Sequence, residues 1–286
     1  MIFNKIFNIT FAFILLVFAI PILIIAGIIL AIELKSWPVF EQERGLTLDK
    51  YLIKIYKLKT IKPQSAKITH TTEEDIFLKP GLRGNVTPFA QWLRKTGLDE
   101  LPQLLNVIMG QMNLIGPRPL MLEDLETIKK VSPELYSIRG KFKCKPGISG
   151  IWQLFGNRAE GLIGMIALES LYERTRTFFF DLKLILYTTS VVIQAKNSDS
   201  IFYIEKQDQN RVKTIFDNSS NLKVTLNMPE GISKFIIEKV VKSEGKYTVE
   251  IPQDWWYVSD SYESVKKETS DLKILKIDKD SKKTGS

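Results

Sequence analysis

Residues 6–32 read IFNITFAFILLVFAIPILIIAGIILAI, and no charged side chain occurs between Ile9 and Ile32. This run is longer than the roughly 20 residues that an α-helix needs to cross a bilayer. It is also too long for the apolar core of an ordinary signal peptide, and no A-x-A cleavage pattern follows it. The stretch therefore predicts a membrane anchor over residues 1–33.

The proline in this anchor leaves its geometry open. Pro21 lies near the middle of the run, where it removes a backbone hydrogen bond and bends or breaks a helix. A kinked helix that crosses the membrane and a helix-break-helix that returns to the same face both fit. Lys5 and Lys35 put basic residues on both flanks, so the distribution of positive charge does not choose between them.

The charge of the chain favours an anionic partner. The net charge is +8, and the first 199 residues carry 25 Lys and Arg against 18 Asp and Glu. Such an excess suits a phosphate substrate, an anionic lipid surface or a nucleic acid. With Cys144 as the only cysteine and His70 as the only histidine, an internal disulfide framework is excluded. A zinc site of His and Cys ligands and a Ser-His-Asp catalytic arrangement are both disfavoured, because the chain has one residue each of Cys and His.

Changes in composition and hydrophobic pattern divide the chain into an anchor (1–33), a main region (34–199) and a C-terminal extension (200–286). The main region predicts strands in 34–60, irregular chain in 62–90, and helices in 89–110, 120–138 and 162–196. Within the last of these, the apolar run 178–193 contains Asp181 and Lys183 and predicts a helix at the membrane surface or in the core. The extension predicts short strands and a disordered tail from about residue 277.

These elements predict an α+β fold that is mostly helical. It combines a Pro-broken membrane helix, amphipathic helices lying on the surface, a small strand element and a β-rich C-terminal appendage.

An acidic pair stands in the segment TGLDELPQ, residues 96–103. Local physics favours a helix start, with Thr96 as the N-cap and Asp99 and Glu100 near the positive end of the helix dipole. Pro102 is compatible with a first helical turn, where N–H groups lack intrahelical partners. A catalytic pair is the alternative.

Several ordered segments carry a family resemblance. They are QERG at 42–45, YKLKT at 56–60, RKTGLDELPQ at 94–103, Asn106-Val107, GPRP at 116–119, KPGISGIWQ at 145–153 and Asp181-Leu182-Lys183. Any one of them is a weak signal, but the ordered set behind a proline-containing anchor is specific. Residues 4–196 resemble the bacterial sugar transferase family, the monotopic phosphoglycosyl transferases.

The resemblance implies an enzyme that transfers a phosphosugar from a UDP-sugar to a polyprenol phosphate. The products are a polyprenol-diphosphate sugar and UMP, and the reaction begins a membrane-bound glycan. Asp99 matches the family's nucleophile, which attacks the β-phosphate and forms a phosphosugar-enzyme intermediate, and Glu100 matches its neighbour. The resemblance also favours the re-entrant anchor, although Ile20 stands where the family has Ser before the proline.

Charge neutralisation is the main problem when two phosphates meet a carboxylate. A Mg²⁺ ion held by Asp99 and Glu100 suits this chemistry, and arginine forks suit phosphate oxygens. The phosphate-binding candidates are Arg94, Arg118 and Arg158. The candidates for lipid phosphate or the membrane surface are Lys5, Arg44, Lys57 and Lys59. Lys57 and Lys59 also fit a solvated strand face.

Departures from the family pattern occur at Asn8, Lys145, Arg158 and Glu169. Asn8 stands for an Asp, Lys145 for an Arg and Glu169 for an Asp, and Arg158 is displaced by one residue. Because Asp99, Glu100 and Arg118 are intact, we expect an active enzyme with shifted nucleotide or sugar specificity.

We expect the chain in the bacterial inner membrane, with its soluble part in the cytoplasm, where UDP-sugars are made. Downstream glycosyl transferases are candidate partners of the extension. The competing hypothesis is a non-enzymatic, membrane-anchored binding protein that uses its basic surface and its C-terminal region. A nucleic-acid role is weaker because no recognition motif is present.

Overall fold

The computed structural model describes residues 2–62, 86–156 and 161–194, together with the backbone of three strands between 212 and 251. The main region begins with α1 (Ile2–Leu34), β1 (Val39–Gly45) and β2 (Ile53–Leu58). It continues with α2 (Pro88–Thr96), a 3-10 helix (Leu98–Gln103), α3 (Leu104–Ile108), β3 (Asn113–Ile115), β4 (Leu120–Met121), α4 (Leu122–Val131) and α5 (Pro133–Lys141). It ends with β5 (Gly147–Ser149), α6 (Ile151–Phe155), α7 (Gly161–Thr175) and α8 (Phe178–Ile193).

α1 is one uninterrupted helix with Pro21 inside it, so the predicted break at the proline is wrong. Proline removes a single N–H donor, and a helix whose other turns are bonded and packed continues through it. In the described part of the chain, α1 alone is long and apolar enough to cross a membrane. Within Asn4–Leu34, the most apolar stretch of 18 residues has a mean hydropathy of 3.2, and 22% of that stretch is buried.

One narrow face of α1 packs along the rest of the molecule. Ala12, Ala19 and Ala26 recur every seven residues on this face and are 0–4% exposed, which lets the helix backbone approach its neighbours closely. The opposite face is covered by large apolar side chains, such as Phe18 at 74% and Ile32 at 72% exposure. A continuous apolar surface of this kind marks contact with lipid or protein.

Two small sheets connect the helices. β1 pairs antiparallel with β2 and with β4, and this register places Arg44 opposite Ile53 on one side and Met121 on the other. β3 and β5 pair in parallel through Asn113 and Ile115. The sheets therefore bring together segments far apart in the chain, around residues 44, 57, 118 and 148.

The main core lies among the helices from α4 to α8. α7 is buried on almost every side, and Leu162, Ile166 and Leu168 have no exposed surface. α8 covers it with Phe180 and Leu184, while Phe179 and Leu186 remain more than 60% exposed. This arrangement confirms the helix predicted over 178–193 and gives it both a core-facing and an exposed apolar side.

Most of the predicted elements in the main region are confirmed. The strands in 34–60, the short helices around the acidic pair and the helix over 120–138 are present, and the last is interrupted before Pro133 as expected. The segment predicted as irregular falls mostly in 63–85, outside the described residues.

The C-terminal appendage is described only as the antiparallel strands β6 (Val212–Phe216), β7 (Leu222–Leu226) and β8 (Tyr247–Ile251). The predicted tail from about residue 277 lies outside the described residues. The three regional boundaries stay predictions.

Candidate active site

The acidic pair lies on the 3-10 helix that follows α2. Gly97 ends α2 by adopting a left-handed conformation with φ of 77°, which glycine tolerates best. The hydroxyl of Thr96 donates back to the carbonyls of Trp92 and Leu93, and its oxygen accepts the Leu98 N–H only at 3.4 Å. The N-cap prediction for Thr96 is therefore wrong, because Gly97 separates the two helices and holds the capping position.

Glu100 is paired with a buried lysine. The Lys57 ammonium on β2 donates to Glu100 Oε1, and the two side chains are 11% and 17% exposed. Burial alone raises the pKa of Glu100, but Lys57, Arg118 and Arg44 outweigh it and lower the pKa to about 2. The solvated-face alternative for Lys57 is wrong, because its side chain turns inward to this carboxylate.

Asp99 is buried in the same cluster, with 6% of its surface exposed. Burial raises its pKa to about 6, and the neighbouring Glu100 adds to this rise, while Lys57 and Arg94 oppose it. Two adjacent carboxylates thus differ in proton affinity because only Glu100 has a direct cationic partner. The carboxylate of Asp99 is the more basic and more nucleophilic of the two.

The GPRP loop presents Arg118 from the end of the β3 strand, and its backbone is gripped on both sides. Glu169 Oε1 accepts the Arg118 backbone N–H at 2.7 Å, and Arg139 Nη2 donates to the Arg118 carbonyl at 2.6 Å. Arg139 and Glu169 also form an ion pair with 0% and 1% side-chain exposure. A fully buried ion pair therefore fixes the position of the loop.

Two further arginines complete the basic surroundings of the pair. Arg44 on β1 donates to Gln42 Oε1 at 2.9 Å and to the Pro119 carbonyl at 3.3 Å, so it braces the same loop. Arg94 Nη1 donates to Thr60 Oγ1 at 2.9 Å, and its charge lowers the pKa of Asp99. Lys57 and three arginines thus surround two carboxylates, which leaves an excess of positive charge for an anion.

The remaining predicted residues lie in other surroundings. Lys5 is an exposed residue in the first turns of α1, beside Gly110. Lys59 follows β2, where its backbone N–H donates to the Pro38 carbonyl at 2.6 Å. Arg158 lies outside the described residues. Their predicted roles in binding phosphate or lipid stay predictions.

Sequence reasoning missed Arg139 altogether, and it treated Glu169 only as a departure. No local pattern marks Arg139, since it lies on a short helix among ordinary charged residues. The signal that exists is the position of Glu169, an acid inside the apolar helix α7, because a buried acid needs a cationic partner.

The carboxylate pair meets the requirements of a Mg²⁺ site only together with a substrate. Among the residues that the structure describes, no group of three or more His, Cys, Asp or Glu side chains converges on one point. Mg²⁺ is commonly held by one or two carboxylates plus substrate phosphates, and Asp99 and Glu100 offer that donor set. The residues therefore fit the ion.

Comparison with known proteins identifies the family to which this chain belongs. The family model described as "Bacterial sugar transferase" matches residues 1–195, so the chain belongs to the bacterial sugar transferase family. The UDP-glucose:undecaprenyl-phosphate glucose-1-phosphate transferase of Klebsiella pneumoniae is 32% identical over 195 residues, which are 66% of this chain and 39% of that protein.

Two other relatives extend the comparison. A protein of the same name from Caulobacter vibrioides is 31% identical over 185 residues, 62% of this chain and 65% of that protein. The undecaprenyl-phosphate galactose phosphotransferase of Salmonella typhimurium is 34% identical over 122 residues, 43% of this chain and 24% of that protein. The matches thus span less than two thirds of each of these three relatives.

Proposed function

We propose that this chain transfers a phosphosugar from a UDP-sugar to a polyprenol phosphate, giving a polyprenol-diphosphate sugar and UMP. The observation that carries the proposal is the buried Asp99-Glu100 pair surrounded by Lys57, Arg44, Arg94 and Arg118. The names of two relatives, a glucose-1-phosphate transferase and a galactose phosphotransferase that both use undecaprenyl phosphate, agree with it.

The chemistry follows from the difference between the two carboxylates. An oxygen of Asp99 attacks the β-phosphorus of the UDP-sugar, and the bond from that phosphorus to the bridging oxygen breaks and releases UMP. A phosphate oxygen of the polyprenol phosphate then attacks the same phosphorus and frees Asp99. Covalent catalysis of this kind divides one difficult transfer between two anions into two easier steps.

The cations neutralise charge at each stage. Arg118, whose backbone is fixed, offers a guanidinium fork for phosphate oxygens, and Arg94 lies near the attacking carboxylate. Lys57 keeps Glu100 ionised, so Glu100 and Asp99 together can hold a Mg²⁺ ion. When bound, this ion supplies neutralisation of the diphosphate charge.

The packing of α1 supports an anchor that stays on one side of the membrane. Asn8 Oδ1 accepts the backbone N–H of Leu114 at 2.8 Å, and Glu33 Oε2 accepts the Thr87 hydroxyl at 2.6 Å. These contacts are 25 helical residues apart, a span of about 37 Å at 1.5 Å per residue, which exceeds the hydrocarbon core. A perpendicular crossing would pull the polar catalytic region into the lipid.

We therefore propose that α1 lies shallowly in the inner membrane on its cytoplasmic face, as an unbroken helix inclined to the membrane surface. The active site then lies at the interface, where a soluble nucleotide sugar and a lipid phosphate meet. The C-terminal extension would provide contacts to a downstream glycosyl transferase.

UMP release tests the proposal directly. The full chain in lipid nanodiscs would receive Mg²⁺, undecaprenyl phosphate and a panel of UDP-sugars, with Asp99→Asn as the matched variant. We expect release from one donor, lost in the variant and on chelation of the metal. Equal release by Asp99→Asn would exclude the covalent mechanism, and absence of release from the whole panel would favour the membrane-anchored binding protein.

A further inference from the structure

An apolar groove of about 690 Å³ runs between α1 and the β1–β2 hairpin. α1 contributes Gly27 and Ala31 to its wall, the hairpin contributes Leu58, and the 3-10 helix contributes Pro102. Among the described residues that line the groove, Ser36, Trp37 and Tyr56 carry a polar atom in the side chain, and none is charged. The volume is within the range of small-molecule sites, about 300–1,000 Å³.

One side of the groove is formed by the 3-10 helix that carries the acidic pair. A 3-10 helix has three residues per turn, so side chains at positions i and i+3 lie one above the other. Pro102, which lines the groove, therefore lies on the same face of the helix as Asp99, one turn further on. The Pro102 end of the groove is thus one helical turn from the residue that we propose as the nucleophile.

The other end opens on the lipophilic side of the molecule. Ile28 of α1 and Trp37 line this part of the groove and are 57% and 76% exposed. The same side of α1 carries other exposed apolar residues, including Ile24 at 57%. The groove thus extends from the exposed apolar side of α1 to the helix that carries Asp99.

We propose that this groove binds the first isoprene units of the polyprenol phosphate and directs its phosphate to Asp99. The inference rests on the proposed function and gives the lipid substrate its place in it. A mainly aliphatic, uncharged wall suits a branched hydrocarbon better than a nucleotide or a sugar, which need several polar partners. The basic side chains needed by the phosphate lie beyond the Pro102 end.

Gly27 provides a way to close the groove without disturbing the core. A Cβ atom added at Gly27 would meet the nearest atom, Pro38 Cγ, at 3.7 Å, which is ordinary contact distance. Alanine therefore fits, whereas a leucine side chain would extend into the groove. Because Gly is a poor helix former, Gly27→Leu also favours the helical state of α1.

The test compares Gly27→Leu with two controls in full-length protein in phosphatidylglycerol nanodiscs. Gly27→Ala adds one methyl at the same position, and Ile25→Phe adds apolar volume at a residue that is 61% exposed and does not line the groove. Binding of undecaprenyl phosphate is measured by native mass spectrometry, and KM is measured separately for undecaprenyl phosphate and for the UDP-sugar. Thermal unfolding of each variant checks that it is folded.

We expect Gly27→Leu to weaken binding of undecaprenyl phosphate and to raise its KM by about tenfold or more, because several hydrocarbon groups lose their buried surface. The KM for the UDP-sugar and all values for Ile25→Phe should stay near those of the wild type, while Gly27→Ala, which adds only one methyl group, should weaken lipid binding much less than Gly27→Leu does. Unchanged lipid binding in folded Gly27→Leu would overturn the proposal. Failure of undecaprenyl phosphate to displace phosphatidylglycerol from the wild type would also overturn the proposal.

The binding measurement separates this inference from the proposed function. If the wild type binds undecaprenyl phosphate and Gly27→Leu does not, the groove assignment stands even where no UDP-sugar is converted. In that case the proposed transferase activity fails and the lipid site remains.

Discussion

At the level of single residues, the raised pKa of Asp99 predicts a pH-dependent activity. Asp99, the proposed nucleophile, must be ionised to attack, and burial followed by the charge of Glu100 raises its pKa to about 6. We expect kcat/KM to fall as the pH drops through about 6, since this ratio reports ionisations of the free enzyme. The measurement is a pH profile of UMP release, and a profile that is flat down to about pH 4.5 would contradict the assignment.

The raised pKa of Asp99 also predicts that the folded state becomes less stable as the pH rises, whereas the activity increases. A carboxyl group with a higher pKa in the folded state than in the unfolded state stabilises the fold at low pH, and this contribution is lost as the pH rises through the folded value. Raising the pH from about 4 to about 6.5 should therefore destabilise the wild type relative to Asp99→Asn. Denaturant unfolding of both proteins at each pH gives the comparison.

The buried pair of Arg139 and Glu169 predicts a large effect of single substitutions. Removing one partner leaves an uncompensated charge in the core, which costs about 3–5 kcal/mol. We expect Glu169→Gln to lower the free energy of unfolding by an amount near this range. We also expect it to lower kcat, because Arg139, which donates to the Arg118 carbonyl, loses its ionised partner.

The double variant Arg139→Met with Glu169→Leu is the control for this prediction. It removes both charges, so we expect it to recover most of the stability without recovering the activity. A double variant as unstable as Glu169→Gln would mean that shape and packing, and not the unpaired charge, cause the loss.

Among the secondary-structure elements, the contact between β3 and β5 positions the GPRP loop. A Cβ atom at Gly116 would lie 2.4 Å from the Lys145 carbonyl oxygen and 2.7 Å from the Gly147 nitrogen, both of them backbone atoms. Because backbone cannot move aside cheaply, Gly116→Ala should displace the loop that carries Arg118. We expect a loss of at least about 2 kcal/mol in stability and a loss of activity that exceeds the unfolded fraction.

Gly140 in α5 offers a matched control for Gly116. Its added Cβ would meet only the Thr47 methyl, at 3.8 Å. Gly140→Ala should stabilise the protein by up to about 1 kcal/mol through helix propensity and leave UMP release unchanged. Thermal unfolding of the two variants in parallel measures the contrast, and similar losses in both would contradict the loop argument.

The elements that sequence alone predicted are those with a local signature. The anchor and α8 follow from long apolar runs, and the β1–β2 hairpin follows from alternation. The pairings that build the site join residues far apart in the chain, such as Lys57 with Glu100 and Arg139 with Glu169, which are 43 and 30 positions apart. Hydrophobic periodicity carries no information on such pairs, so only family resemblance pointed to Asp99 and Arg118.

For the molecule as a whole, the length of α1 raises the question of how it lies in the membrane. The helix could cross a bilayer by composition, yet it contacts the catalytic region both at Asn8 and at Glu33. These two facts are compatible only if both ends of α1 stay near the same interface. The prediction is that both ends are accessible from the cytoplasmic side.

Cysteine labelling in oriented vesicles tests this geometry. The native thiol of Cys144 is 2% exposed, and burial raises its pKa above the normal range, so it should remain unreactive in the folded protein. Asn4→Cys and Lys35→Cys then place one reactive thiol at each end of α1, both at exposed positions. An impermeant maleimide should label both variants in inside-out vesicles and neither in right-side-out vesicles. Labelling of the two ends from opposite sides would mean that α1 crosses the membrane, and the contacts at Asn8 and Glu33 could not then both persist.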